Sequence, residues 1–200
     1  VTGPVSSKPR ILILFVHPYP HQSRINAAMR LAAADLPHVT IHDLYDSYPD
    51  FHIDRHREQA LLADADVVVF QHPFYWYSAP ALLKEWMDTV LEYGWAYGTG
   101  GVALQGKDLV QAISTGGPAE AYQPVGYNQY TMMELLRPFE RSAVLCGMNY
   151  REPFLLQGAR LKTPDEVTAH AAAYRDWLDS YPHPRDCPTC TQPAVPQTDR

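Results

Sequence analysis

The sequence predicts a doubly wound α/β domain, with five parallel strands in the order 2-1-3-4-5 and helices on both faces. Three observations lead there. Apolar runs of strand length recur without alternation, as in strands buried on both faces. Segments with helical spacing of apolar residues separate them. The resulting βαβαβαβαβα order requires right-handed crossovers, which place helices on both sides of a parallel sheet.

The elements follow in order. Residues 1–10 (VTGPVSSKPR) read as a flexible leader, and residues 11–181 as the domain. Ile11 to Val16 is the first buried strand. Ser23 is a good helix N-cap, and Ile25, Ala28, Met29, Leu31 and Ala32 form a helical stripe that Pro37 closes. Val39-Thr40-Ile41 is a short second strand, and Asp54 to Ala63 a helix capped by Asp54. Asp66 to Phe70 is the third strand, and Pro80 to Val90 an amphipathic helix with proline in its first turn. Gly94 to Gly106 reads as a long loop and Leu109 to Ile113 as the fourth strand. Tyr130 to Arg141 is expected to be one helix that Pro138 bends or divides. Val144 to Tyr150, with Phe154-Leu155, fits a final strand region. Thr163 or Asp165 caps the last helix, and residues 182–200 lose every period and are expected to be disordered.

Two hundred residues suit one such domain. A net charge of −6 without a dense Lys/Arg cluster argues against nucleic acid as a partner. Ile11 to Val16 is too short to span a bilayer, and His17-Pro18-Tyr19-Pro20 follows it rather than a small-residue cleavage site. The expected compartment is the cytoplasm. Cys146, Cys187 and Cys190 are too few for a disulfide framework.

In the 2-1-3-4-5 order, ligands bind beyond the carboxyl ends of the strands near the switch between strands one and three. That rule selects the loops after Val16, Phe70 and Ile113, where the sequence is also most unusual. In the first, backbone amides from Ser23, Arg24, Ile25 and Asn26 open a helix and suit a phosphate, with His17 as a further donor. No GxGxxG or GxxxxGK[ST] pattern occurs. The second, Gln71 to Pro80, holds Phe74, Tyr75, Trp76 and Tyr77 between prolines and makes a wall for a flat conjugated ring. The third, Ser114, Thr115, Gly116 and Gly117, offers hydroxyls beside a backbone that a ligand can approach closely. Taken singly, each has a plainer role: an N-cap, a hydrophobic plug or dimer contact, a tight turn. Together they fit a flat ligand with a phosphate tail, such as a flavin mononucleotide.

The segments HPYPHQSRIN, QHPFYWYSAPALLKEWMD, GWAYGTGGVALQGK and ISTGG resemble the NAD(P)H:quinone oxidoreductase family. Within it they are most similar to the flavin-binding ancillary proteins of glutathione-gated potassium-efflux systems. The resemblance implies a flavodoxin-like homodimer that passes hydride from NAD(P)H through FMN, or FAD as second choice, to a quinone. It also implies a possible membrane-transporter partner, with the flavin serving regulation. Carried over by position, His17 and Ser23 to Asn26 hold the phosphate, Phe74 to Tyr77 flank the ring, and Ser114 to Gly117 meet its pyrimidine side. Tyr122 matches a tyrosine near the flavin in mammalian-type enzymes. Their nearby histidine is here Asn128, so Tyr122 and Asn128 stand as the candidate catalytic pair. A flavodoxin-like one-electron carrier is disfavoured by the enlarged aromatic and Gly94 to Gly106 segments.

No metal site is expected. Cys187-Pro188-Thr189-Cys190 with His183 is one unpaired CxxC, and the remaining histidines form no ligand pair. Cys146 reads as a small buried hydrophobe.

Overall fold

The computed structural model describes residues 8–182. Its sheet is built on β1 (Ile11–Phe15), β3 (Val67–Pro73) and β4 (Asp108–Ser114), whose residues are almost all buried. The partly exposed β2 (Val39–Asp43) lies at one edge. All pairings are parallel, and the order is β2-β1-β3-β4-β5, with β5 at Asn149–Tyr150, as expected.

Alternate residues of each strand feed opposite cores, because side chains in a strand point up and down in turn. Ile11, Ile13, Val67, Val69, Val110 and Ala112 pack with α1 (Arg24–Ala33) and α7 (Pro164–Asp179). Leu12, Leu14, Val68, Phe70, Leu109 and Ile113 pack on the other face. That face is covered by α3 (Arg55–Asp64), α4 (Ala81–Val90) and α6 (Arg137–Leu145). A short α2 (Leu44–Ser47) follows β2.

The capping residues follow hydroxyl and carboxylate chemistry. Ser23, Asp43, Asp54 and Thr163 each accept a hydrogen bond from the backbone three residues on. Thr163 rather than Asp165 therefore caps the last helix, and Glu166 completes the reciprocal capping box.

Three expectations are corrected. The strand region near the end is two strands, β5 (Asn149–Tyr150) and β6 (Phe154–Leu156), both paired to β4, which makes six strands among the described residues. Val144 and Leu145 belong to α6, not to a strand. Gly147 at φ 72 ends that helix, with the Gly147 amide bonded to the Val144 carbonyl and the Met148 amide to the Ala143 carbonyl. Lastly, the helix expected over 130–141 is divided, one of the two outcomes expected of Pro138, but the break between α5 (Met132–Leu135) and α6 falls at Leu136. Pro138 lies in the first turn of α6, where its missing N–H costs nothing, so it opens the second helix instead of bending one.

Within the expected leader, the Arg10 amide and guanidinium bond Asp66, and Lys8 pairs with Asp179. His183, Cys187 and Cys190 lie outside the described residues. Cys146 is buried, and burial pushes its thiol up to about 11, as expected of an inert side chain. Among the described residues, no helix is long and apolar enough to cross a membrane and no cluster of metal-ligating side chains occurs.

Candidate functional site

Parallel register brings the three selected loops to one sheet edge. Phe15 lies beside Gln71, and Pro73 beside Ser114, so β1, β3 and β4 end together. β3 runs on to Pro73, so Gln71, His72 and Pro73 belong to the strand and not to the following loop.

Side chains then tie the loops to one another. The Asn26 Nδ2 group donates to Ser114 Oγ at 2.8 Å, joining the start of α1 to the end of β4. The Gln71 amide donates to the Asn26 carbonyl at 3.0 Å and accepts from the Tyr174 hydroxyl at 3.3 Å. Gln71 is fully buried and sets the entry of α1 against β3. It was not among the expected site residues. Its only sequence signal is an amide interrupting the apolar strand Val67 to Phe70.

At the first loop, Ser23 Oγ accepts the Asn26 amide, while the amides of Arg24 and Ile25 have no intrahelical acceptor. The Arg24 guanidinium bonds the Lys162 carbonyl at 3.0 Å, so this residue offers the site its backbone and not its side-chain charge. Burial lowers the His17 pKa and favours its neutral ring. Its Nδ1 accepts the Tyr19 amide at 3.1 Å, which leaves Nε2 as the protonated nitrogen and a neutral donor.

Asn26 is 1% exposed, and its side-chain oxygen is buried with no protein partner. An unpaired buried polar atom is costly, and at a ligand crevice it marks where a ligand group completes the bonding. Neutral donors and a helix start suit a phosphate without any metal, and the free acceptor end of the Asn26 amide suits a hydroxyl of the polyol linker. The donor set therefore fits the tail of a flavin mononucleotide.

The second and third loops have the polarity of a ring site. Phe74 is half-buried, its ring centroid 6.0 Å from that of Tyr122 in an edge contact. Its amide donates to the Ser114 carbonyl at 2.8 Å. Trp76 and Tyr77 adopt φ of 50 and 60, which bulky residues rarely do. Tyr75 and Tyr77 are exposed and Trp76 is 94% exposed, so the tryptophan ring is no wall of the crevice within one chain. Thr115 Oγ1 donates to the Gly117 carbonyl at 2.7 Å, and the Thr115 amide to Leu156, which fixes the turn on β6. A Cβ at Gly117 would stand 3.3 Å from the Tyr122 ring, whereas one at Gly116 would meet nothing closer than 4.0 Å. Tyr122 is buried against this turn. Asn128 is joined to the ring-side loop instead, because its Oδ1 accepts from the Tyr77 hydroxyl at 3.0 Å. The structure thus brings the expected residues to one edge, with Trp76 and the Arg24 side chain turned to other surroundings.

Residues 9–180 match a family described by its flavodoxin-like fold. The chain is 51% identical over 176 residues to the glutathione-regulated potassium-efflux system ancillary protein KefG of Pectobacterium carotovorum, covering 88% of this chain and 96% of that protein. General stress protein 14 of Treponema denticola, solved in complex with FMN, superposes with TM-score 0.81 at 40% identity over 86% of this chain and 98% of that one. An NADPH-quinone reductase of P. pentosaceus gives TM-score 0.77 at 34% identity over 84% and 97%. A structure described as a thermophilic tryptophan halogenase gives TM-score 0.81 at 46% identity over 82% and 96%. One fold carries several named activities here, so activity has to be argued from the site.

Proposed function

We propose, on the premise that this chain belongs to the flavodoxin-like fold family, that it is an FMN-dependent NAD(P)H oxidoreductase that reduces quinones or similar small electrophiles by two electrons. The observation that carries the reading is the Asn26 amide, buried at a helix start with its oxygen free and its nitrogen tied to the loop after β4. The FMN complex of the Treponema relative and the quinone-reductase relative support it.

His17, Ser23, Asn26 and the amides of Arg24 and Ile25 would hold the phosphate and linker. Phe74 to Tyr77 would lie along the ring, and Ser114 to Gly117 at its pyrimidine side. FMN, or FAD as second choice, supplies a hydride relay between NAD(P)H and the acceptor. The chain's own contribution is to bind, orient and exclude water. Tyr122 offers a hydroxyl beside Gly117, and Asn128, with Oδ1 occupied by Tyr77, offers its Nδ2 group to an acceptor oxygen. Donor and acceptor use the same crevice in turn, so a ping-pong cycle is expected.

Trp76, Val125 and Tyr127, exposed by 94%, 99% and 89%, lie on the two loops joined by the Tyr77–Asn128 bond and favour a homodimer closed over this edge. The cytoplasm is the proposed compartment.

A second reading, favoured by the KefG identity, is a flavin-binding regulatory subunit of a potassium-efflux transporter with little turnover of its own. Purified protein should be yellow, release FMN on denaturation, and reduce a simple quinone with NAD(P)H along parallel double-reciprocal lines. Folded, colourless protein that refuses both FMN and FAD at micromolar concentration would end the flavin reading. Copurification with a transporter and negligible turnover by a flavin-loaded protein would select the second reading.

A further inference from the structure

Beneath the ring-side loop runs a buried polar chain that the proposed chemistry leaves unused. His72 on β3 and Gln111 on β4 are fully buried, and Tyr150 on β5 nearly so. His72 Nδ1 lies 2.9 Å from the Pro73 carbonyl, and His72 Nε2 lies 3.2 Å from Gln111 Nε2. The Tyr150 hydroxyl lies 2.7 Å from Gln111 Oε1.

The direction of every bond follows from the carbonyl, which only accepts. Nδ1 therefore carries the proton. Burial lowers the His72 pKa to about 4, so the ring is neutral and Nε2 is an acceptor. Gln111 must then present its amide nitrogen to His72, and its oxygen accepts the phenol proton of Tyr150. Turning the Gln111 amide over would put two acceptors, Nδ1 and the Pro73 oxygen, face to face at 2.9 Å. One orientation satisfies all four groups.

The chain ends where the polypeptide leaves the sheet. The Pro73 carbonyl is held by His72, and the amide of the same peptide unit, on Phe74, is held by the Ser114 carbonyl at 2.8 Å. Two residues later come the unusual φ values of Trp76 and Tyr77. Backbone of that kind persists only where its surroundings over-determine it. We propose that His72, Gln111 and Tyr150 are positioning residues, a one-way hydrogen-bond chain that fixes the Pro73–Phe74 peptide and so sets the Phe74–Tyr77 loop in its ring-binding conformation. The functional part of this assignment rests on the flavin reading above.

Two substitutions at His72 separate this role from simple packing. His72→Phe keeps a ring of similar size but removes the donor to Pro73. His72→Asn loses volume yet restores an N–H donor, because the asparagine Nδ2 and the histidine Nδ1 are both attached to Cγ. In full-length protein without flavin, amide exchange across residues 74–78 should quicken by about tenfold in His72→Phe and return toward the native rate in His72→Asn. The FMN dissociation constant should follow the same order, rising about tenfold in His72→Phe. Long-range proton–nitrogen spectra of the native protein should show His72 as the Nδ1–H tautomer. Tyr150→Phe, which leaves the volume almost unchanged, should shift exchange in the same direction should His72→Phe fail to fold.

A pure packing role predicts the reverse, with Phe tolerated and Asn loosened, and that order would overturn the proposal. So would an Nε2–H tautomer, or native exchange in both His72→Phe and Tyr150→Phe. Failure of the native protein to bind any flavin would sink the functional reading instead, and the exchange pattern would still decide the positioning role.

Discussion

Asn26→Ala separates a binding residue from a structural one by the sign of two numbers. In the flavin-free protein the change removes the bond from Nδ2 to Ser114 Oγ, a net loss of about 1 kcal/mol. It also removes the buried oxygen that has no partner, a relief of about 1–3 kcal/mol. Alanine is a better helix former than asparagine by roughly half a kcal/mol. The backbone bonds of residue 26, its amide to Ser23 Oγ and its carbonyl from Gln71, are kept by any side chain. The net change in stability is therefore expected to be a gain of roughly 0.5–2.5 kcal/mol. Turning the Asn26 amide over exchanges its two ends but still leaves one buried polar group for the ligand. With FMN, the same substitution deletes the hydrogen bond that a linker hydroxyl donates to Asn26 Oδ1, about 1 kcal/mol for a neutral pair, or roughly fivefold in affinity. Urea unfolding of flavin-free protein gives the first quantity, and quenching of FMN fluorescence gives the second. A loss of more than about 2 kcal/mol in stability with affinity unchanged to within about twofold would refute the reasoning. Asn26 would then be a packing residue.

Two further outcomes follow from buried groups outside the crevice. Glu58 is fully buried and accepts from His42 Nε2 at 2.8 Å, Tyr48 Oη at 2.6 Å and Trp86 Nε1 at 2.8 Å. Burial alone would raise its pKa, but these three donors outweigh that and hold it below the ordinary range. Glu58→Leu strands all three donors and should cost about 3–5 kcal/mol in urea unfolding, with the folded fraction binding FMN normally; a loss below about 1 kcal/mol would show the network to be dispensable. Acid should weaken the fold through His72, whose pKa of about 4 lies below that of the unfolded chain. Unfolded protein takes up this proton near pH 6.5 and folded protein only near pH 4, so stability is full above about 6.5 and falls as pH drops toward 4. The loss from pH 7.5 to pH 5 should be about 2 kcal/mol from this group and absent in His72→Asn, and an unchanged pH slope in that variant would assign the effect elsewhere.

The elements that the sequence reveals best are those whose burial leaves no choice of face. Val67 to Phe70 is apolar throughout, and Leu109 to Ile113 is apolar but for Gln111, because helices cover both sides, and the order 2-1-3-4-5 follows from the alternation of strand and helix. Val144 and Leu145 show where this reasoning stops. Two apolar residues suit a strand or the last turn of a helix equally, and only the backbone bonds closed by Gly147 decide for the helix. β5 and β6 have two and three residues and lack any period of their own, so their existence depends on β4 presenting an open edge. Pro73 reads locally as the end of a strand already finished, yet the register carries β3 to it. At the site, capping chemistry placed Ser23 and the loop rule placed Ser114. Neither tells that Asn26 joins them, because a bond between residues 88 apart leaves no periodic trace.

The enzyme and regulatory readings differ in what the crevice meets, not in the crevice itself. Both need the flavin held by the Asn26 amide and the Ser114 turn, so disabling that site disables both. The proposed dimer, closed over the loops of Trp76 and Tyr127, would place the second copy at the carboxyl edge of the sheet. Such a dimer would leave the α1 and α7 face, on the flank of the sheet, uncovered. Under the proposed function, turnover and partner binding would use different surfaces, and neither would exclude the other. Coupling between them has a physical route only if a partner on the flank changes the packing of Tyr174, whose hydroxyl bonds Gln71 and through it the Asn26 carbonyl. Tyr174→Phe removes the first link of that route at 3.3 Å and keeps the ring packed against Phe154 and Trp177. The substitution should thus uncouple partner binding from flavin affinity while leaving each intact.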